Sequence, residues 1–427
     1  MIYNKWYLGQ SKSKYDTNGF DNLVNCDVHS EPGALKCQLA LILDSATPNE
    51  ACIQATAANG DTFFASTASG KIWKRTAAGT YSLVHTNGQG SNVGIRFFNS
   101  NLYYATTAKL GKITEAFASS EASWSEEDDS FGTFTNSGAY KPMYELNLSL
   151  FIGDGKYLAS VDSAGDFSAN SLDIYADQII TTITGVGTDL LIGTIMGANK
   201  SYSKVFLWDT ISASWTIEDD VPEIGVNCFI PTDNITFAQC GTAGWIYYWT
   251  GAKMEKFKQI RSVTTGVNHY ASTKLSGKAL YGVATKVFSL HRADKDFPYS
   301  IVQEYTATTG TIGSLGTSGA NLLVPNGTNV NKIGTSYATA VITTPETEEK
   351  IQNCIVKYDA VGGTGAITIG TNIDNAGSYT AQTPIVNAIK KEVSFDGGLG
   401  TVNFIQGRVT LTPQTTHQIS IKSIELK

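Results

Sequence analysis

Charge is scarce in this sequence. Only 16 % of its 427 residues are Asp, Glu, Lys or Arg, against about a quarter in an average soluble domain. The net charge is −7 and no stretch is rich in Lys or Arg. A protein that grips phosphates needs clustered positive charge, so specific nucleic-acid binding is excluded. An acidic wall past which DNA slides without sticking is still compatible with this balance. Histidine is rarer still, at five residues (His29, His85, His269, His291 and His417), and none has a His or Cys neighbour at metal-ligand spacing. The six cysteines include no CxxC pair. They are too few for a disulfide scaffold and read as small buried hydrophobes of a chain made in a reducing cytoplasm. The amino terminus has no apolar stretch like that of a signal peptide. The longest apolar runs, such as 39–43 and 190–192, are too short to span a bilayer, so membrane insertion is not expected. No Gly-x-Gly-x-x-Gly, Walker or nucleophile-elbow sequence occurs, and no cofactor is expected.

Amphipathic helices are missing as well. No window of fifteen residues carries a clean 3.6-residue period with caps; residues 385–392 come nearest and read as strand or turn. Thr, Ser, Asn and Gly take the place of the missing charge, and aromatics reach 11 %. That is the composition of short strands and tight turns.

A repeat organises those strands. A short apolar strand is followed about ten residues later by a polar turn, then by Lys with a β-branched or aromatic pair. Thr62-Phe63-Phe64-Ala65 with Gly70-Lys71-Ile72-Trp73 is the clearest copy. The position after the turn recurs at Ile72, Ile113, Tyr157, Val205, Ile246, Val287 and Ile333, with steps of 41, 44, 48, 41, 41 and 46 residues. A period in the forties with about four short strands is the spacing of a β-propeller blade. One blade cannot bury both faces, so neighbours stacked radially bury them for each other. Six or seven blades follow, because the first and last copies could share one.

Near residue 335 the repeat gives way to alternation. Thr339–Thr343, Cys354–Tyr358, Ala366–Gly370, Lys391–Phe395, Arg408–Thr412 and Ser420–Leu426 alternate apolar and polar residues between Gly-rich turns. Six such strands in about 90 residues read as a jelly-roll-like β-sandwich. The fold expectation is therefore all-β, with an arm at 1–19, a six- or seven-bladed propeller at 20–335 and a β-sandwich at 336–427.

The opening run from Asn18 to Leu35, with Asp27-Val28-His29-Ser30-Glu31-Pro32-Gly33-Ala34-Leu35, resembles the start of propeller-bearing structural proteins of tailed bacteriophages. The runs 351–358, 407–411 and 424–426 are similar to the sandwich that ends such proteins. The resemblance covers most of the chain as layout and carries no functional residues. It implies a virion component, made in the host bacterial cytoplasm, of the tail nozzle or tail hub kind. It implies several copies around the tail axis and contacts with other tail or connector proteins. Within the opening motif, Pro32-Gly33 suits a type II turn that launches a strand at 33–43. The sequence leaves open whether that strand joins the last blade and closes the ring.

Catalytic readings find little to stand on. The hairpin box of sialidases, Ser-x-Asp-x-Gly-x-x-Trp, is approached by Ser66–Trp73, but Ala68 stands at the Asp position. Glycosidase activity is thus a distant alternative, and no enzyme is expected. The acidic clusters Glu126-Glu127-Asp128-Asp129 and Glu218-Asp219-Asp220 follow Trp124 and Trp215. They read as solvated loops, or as calcium- or partner-facing ones, without the spacing of a calcium loop. Trp245, Tyr247 and Trp249 would share one face of a strand. They are the best candidates for a sugar-stacking or partner contact, the feature that a tail-tip receptor- or carbohydrate-binding protein would use. The competing reading buries them between blades.

Overall fold

In the computed structural model, residues 2–3, 5–6, 9, 20–31, 33–114, 126–197, 202–260, 268–292, 298–307, 310–345, 353–360, 365–373, 378–394, 405–414 and 416–426 are described. Among them there is no α-helix. The chain is a β-propeller of seven blades. Blades I to VI each take four consecutive antiparallel strands, at 52–86, 94–133, 143–173, 178–221, 226–259 and 272–306. Blade VII takes three strands from 316–337 and its outer strand, Leu39–Ser45, from the amino-terminal region. The strand expected at 33–43 is in fact two: Leu35–Cys37 joins another sheet, and Leu39–Ser45 closes the ring. Pro32 lies outside the described residues; Gly33 has the positive φ of 84° that the expected turn asked of it.

The seven copies of the sequence motif are the second and third strands of the seven blades. The second strands are apolar at nearly every position because both faces are covered. Phe63 packs into the cluster between blades I and II, while Phe64 packs between VII and I. Leu102 and Tyr104 face blade I, and Tyr103 and Ala105 face blade III. Leu323 turns to blade I, and its neighbours Leu322 and Val324 to blade VI. This is the two-residue side-chain period of a strand, read out into seven inter-blade clusters that form a closed circle. Packing is tight: a Cβ on Gly111 would lie 2.2 Å from the Tyr104 ring. Asp44 locks the closure. Its carboxylate, 3 % exposed, accepts from Arg75 Nε at 2.7 Å and Tyr81 Oη at 2.8 Å in blade I, and pairs with Lys332 Nζ at 2.7 Å in blade VII.

Both ends of the chain build a second module. One sheet runs, in spatial order, Cys26–Asp27, Leu35–Cys37, Ser420–Leu426, Cys354–Ala360, Glu392–Ser394 and Ile385–Asn387, with Ile2–Tyr3 also on Ser420–Leu426. The other continues blade VI. Its outer strand Ser300–Thr306 pairs in parallel with Asn22–Val24, which leads on to Ala340–Thr343, Ile405–Thr412, Ala366–Ile373 and Thr380–Gln382. The two sheets share one buried cluster that includes Trp6, Phe20, Leu23, Val356, Val409 and Ile421. Residues 22–37 were placed in the propeller by a boundary at residue 20; their pairing puts them in this module instead. A strand pattern does not name its partner, and two of these partners, Ala340–Thr343 for Asn22–Val24 and Ser420–Leu426 for Leu35–Cys37, lie more than 300 residues away.

A buried ionic cluster ties the two modules together. Lys278 Nζ lies 2.8 Å from Glu304 Oε1 and 3.2 Å from Asp27 Oδ1, and Gln38 Nε2 donates to Glu304 Oε2 at 3.0 Å. His29 sits in this cluster with its ring edge-on to His291 at 5.1 Å, and both His29 ring nitrogens are buried without a hydrogen-bond partner among the described residues.

Candidate functional site

The first strands of the seven blades touch one another around the propeller axis. They enclose a cavity of about 600 Å³ lined by residues of every blade. All seven run in the same direction, and the cavity lies towards their carboxyl-terminal ends, on the face that carries the first hairpin turn of each blade.

The opposite end is plugged by residues just before the first strand of blade VI. The backbone carbonyl of Tyr270 accepts from Leu315 N at 2.9 Å, and Asn268 Nδ2 donates to Gly313 O at 2.7 Å. His269 reaches across the axis: its Nε2 meets Met143 O at 3.1 Å, and its Nδ1 meets Thr182 Oγ1 at 3.0 Å. A carbonyl only accepts, so Nε2 carries the proton and Nδ1 accepts from Thr182. The same threonine oxygen accepts from Phe229 N at 3.2 Å. Tyr270 Oη donates to Lys141 O at 2.7 Å and accepts from Ile95 N at 3.3 Å. Burial holds His269 down at about 4 and pushes the Tyr270 phenol well above its usual range. Both rings are neutral structural bolts with their polar atoms committed. Neither is a free general base.

The walls above this floor are different. Gln54, 6 % exposed, donates through Nε2 to Leu323 O at 3.0 Å, while its Oε1 has no partner. Thr184, 2 % exposed, has an unpartnered Oγ1. Near the mouth the Arg96 guanidinium lies 5.7 Å from the Tyr144 ring centroid and makes no ion pair among the described residues. Lys274 is held by Asp233 at 3.1 Å, and Glu145 is exposed at the rim. The bowl presents one cation without an ion pair among the described residues, Arg96, while Gln54 Oε1 and Thr184 Oγ1 are shielded from its open space. Among the described residues no three His, Cys, Asp or Glu side chains are grouped to hold a metal.

The residues singled out from the sequence lie elsewhere. Trp245, Tyr247 and Trp249 do share a face of one strand, but that face is buried between blades IV and V against Leu191, Val205 and Phe229. Tyr247 and Trp249 are 1 % and 6 % exposed, Tyr247 Oη donates to Glu223 at 3.2 Å, and Lys256 covers the Trp245 ring at 4.3 Å. The contact surface expected there is therefore corrected to an inter-blade core, because a third strand has neighbours on both faces. Asp129 of the first acidic cluster and all three residues of the second are structural too. Asp129 accepts from His85 Nε2 at 2.8 Å, Gly88 N at 2.9 Å and Tyr104 Oη. Lys204 pairs with Glu218 at 2.5 Å and Asp220 at 2.7 Å, and Asp219 accepts from Met254 N at 2.7 Å. Trp124 lies outside the described residues. The bowl residues escaped notice because Gln54, Arg96 and Thr184 are ordinary members of alternating strands. They span 130 residues of sequence and come to one cavity only at the axis.

No protein-family model matches this chain, and no curated protein matches it. Solved structures do resemble it. A streptogramin B lyase has 11 % identity and a TM-score of 0.50 over 69 % of this chain and 97 % of its own. A catalytically inactive virginiamycin B lyase from Staphylococcus aureus, with quinupristin, has 12 % identity and a TM-score of 0.51 over 70 % and 98 %. The extracellular domain of a putative hybrid two-component system from B. thetaiotaomicron has 10 % identity and a TM-score of 0.51, over 81 % of this chain and 44 % of its own. At such identities the likeness is one of fold, and it establishes the chain as a β-propeller.

Proposed function

We propose that this protein is a non-enzymatic structural component of a bacteriophage virion, tail-associated in a nozzle- or hub-like position and assembled in several copies around the tail axis. The sequence resemblance supplies the virion context. The observation that carries the assembly is on the second module. Ile385–Asn387 is the last strand in the order of its sheet, and Ile385, Val386 and Ile389 around it are 51 %, 62 % and 97 % exposed. An apolar strand at a sheet edge templates pairing with another chain unless something covers it. A neighbouring copy, laid against this edge in a head-to-tail contact that closes into a ring, accounts for it. The side chains that could do chemistry support the same reading, since His269, Tyr270, His85 and Asp129 are engaged in bonds that join blades.

Light scattering and negative-stain images of the purified protein test this. Rings or concentration-dependent oligomers are expected, with loss of assembly in an Ile385→Lys, Ile389→Lys double variant. A strict monomer that is also absent from purified particles refutes the proposal.

A further inference from the structure

A ring needs two different contact patches on every copy. A strand edge that pairs only with its own equivalent gives an isologous dimer and stops there, whereas a head-to-tail contact joins one patch to another and closes after several copies. The edge at Ile385–Asn387 is one patch. The propeller carries a second. Leu39–Ser45 is the outermost strand of blade VII, and no strand lies against its far side among the described residues. Ile42 and Leu43 at its centre are 40 % and 54 % exposed.

The other blades mark this edge as an exception. Blades II, III, IV and V carry charged residues on their outer strands, such as Asp128, Asp173, Glu218 and Lys256. Charge on an edge strand discourages pairing with another chain. The outer strand of blade VI is covered by Asn22–Val24, and that of blade I mixes Ser82, His85 and Thr86 with its apolar residues. From Leu39 to Leu43 the outer strand of blade VII is apolar throughout. Its one charged residue, Asp44, is turned inward to Arg75, Tyr81 and Lys332. Ile385–Asn387 likewise has no charge in its three residues. The two edges also match in length, because Leu41–Leu43 is the part of the blade VII edge in unbroken register with its inner neighbour.

We infer that Ile385–Asn387 of one copy pairs with the outer edge of blade VII of the next copy, around Leu41–Leu43. The pairing rests on the proposed assembly and supplies its second surface. It adds a fifth strand to blade VII and joins that blade to the sheet that Ile385–Asn387 ends. Backbone hydrogen bonds make the attachment, and Ile42, Leu43, Ile385 and Val386 leave water together. Each added copy leaves one edge of each kind free at the ends of the arc until the ring closes.

Sedimentation velocity of the full-length protein over a concentration series tests this with two variants. Leu43→Lys alone, and the Ile385→Lys, Ile389→Lys variant alone, should each raise the concentration of half-assembly at least about a hundredfold. An equimolar mixture of the two should form dimers and nothing larger, because each variant keeps the edge that the other has lost. Circular dichroism and melting temperature check that both are folded. Leu43→Lys assembling like the wild type overturns the inference and leaves assembly through the Ile385 edge standing. A mixture in which two folded variants stay monomeric also overturns it. A wild-type protein that is monomeric at every concentration overturns it together with the assembly on which it rests. If Leu43→Lys does not fold, Leu43→Cys mixed with Val386→Cys and treated with a flexible bismaleimide takes its place. The six native cysteines are buried, so cross-linked pairs are expected in the mixture and in neither variant alone. No cross-link in the mixture, or cross-linked Val386→Cys by itself, overturns the inference.

Discussion

Beneath the floor of the bowl lies an ion pair with no access to water. Lys141 Nζ is 2.6 Å from Asp154 Oδ1, both side chains are 0 % exposed, and Lys141 also donates to Asn136 O at 2.9 Å. Asp154 Oδ2 accepts from Thr135 N at 2.8 Å and Asn136 N at 2.9 Å, and the ammonium lies 4.6 Å from the Phe134 ring centroid. Asp154→Asn keeps the shape and an oxygen that accepts from both backbone amides but leaves the cation without its carboxylate. Breaking a buried pair from one side costs about 3–5 kcal/mol, and about 3 is expected here because the carbonyl and the ring remain. Lys141→Met leaves the carboxylate with two amide donors and falls at a similar value. The double variant removes both charges and keeps the amides satisfied, so it should cost only about 1–2 kcal/mol. The coupling energy from the cycle is then about 4–5 kcal/mol. Urea unfolding, with midpoints compared at a common slope, measures all four proteins. Single variants that each cost less than about 1 kcal/mol, or a double variant equal to the sum of the singles, would refute the reasoning.

Asp44→Ala should destabilise the ring closure by about 2–4 kcal/mol, since Arg75 at 4 % exposure loses the carboxylate it pairs with; urea unfolding with proteolysis at the amino terminus as a second readout checks it. Acid should weaken the junction between the modules in two stages. Burial, reinforced by Lys278, holds His29 at about 3, so the unfolded chain takes up a proton near pH 6.5 that the folded one refuses. Stability therefore falls as pH drops from about 6.5 to about 3, and His29→Leu should remove about 1.4 kcal/mol per pH unit of that slope. At Asp27 burial pushes the carboxyl up, but Lys278 and the Ser30 and His29 amides outweigh it and leave it at about 2. Its contribution is complete above about pH 4 and is lost as pH falls towards 2, a limb that His29→Leu leaves in place. An unchanged slope between pH 6 and 4 in thermal melts would contradict the buried-histidine account. Trp249→Ala should cost about 3–5 kcal/mol and leave glycan binding unaltered, because the ring fills the core between blades IV and V. The six cysteines are all free and buried, so a thiol reagent should label them only as the protein unfolds; rapid labelling of the native protein would contradict that packing.

The sequence by itself determined the blades. Runs such as Thr62–Ser66 and Asn101–Ala105 are apolar on both faces, which only a strand between two sheets tolerates, and their step of about forty residues is set locally by hairpin geometry. It also determined how little helix there would be, through composition alone. What it could not determine is which distant strands meet. Whether the ring has six or seven blades turned on the partner of Leu39–Ser45, and that partner, Asn329–Tyr337, lies some 290 residues downstream. The same holds for Asn22–Val24, whose partners Ser300–Thr306 and Ala340–Thr343 lie far downstream. The candidate site shows the division most sharply. Trp245, Tyr247 and Trp249 stood out because they are adjacent, yet their strand has a blade on either side and they are core. Gln54, Arg96 and Thr184 were inconspicuous, yet the circular arrangement of first strands brings them to one cavity. Local pattern fixes local structure because it acts through neighbouring dihedrals and faces. A site at the axis of a ring exists only once all seven blades have closed.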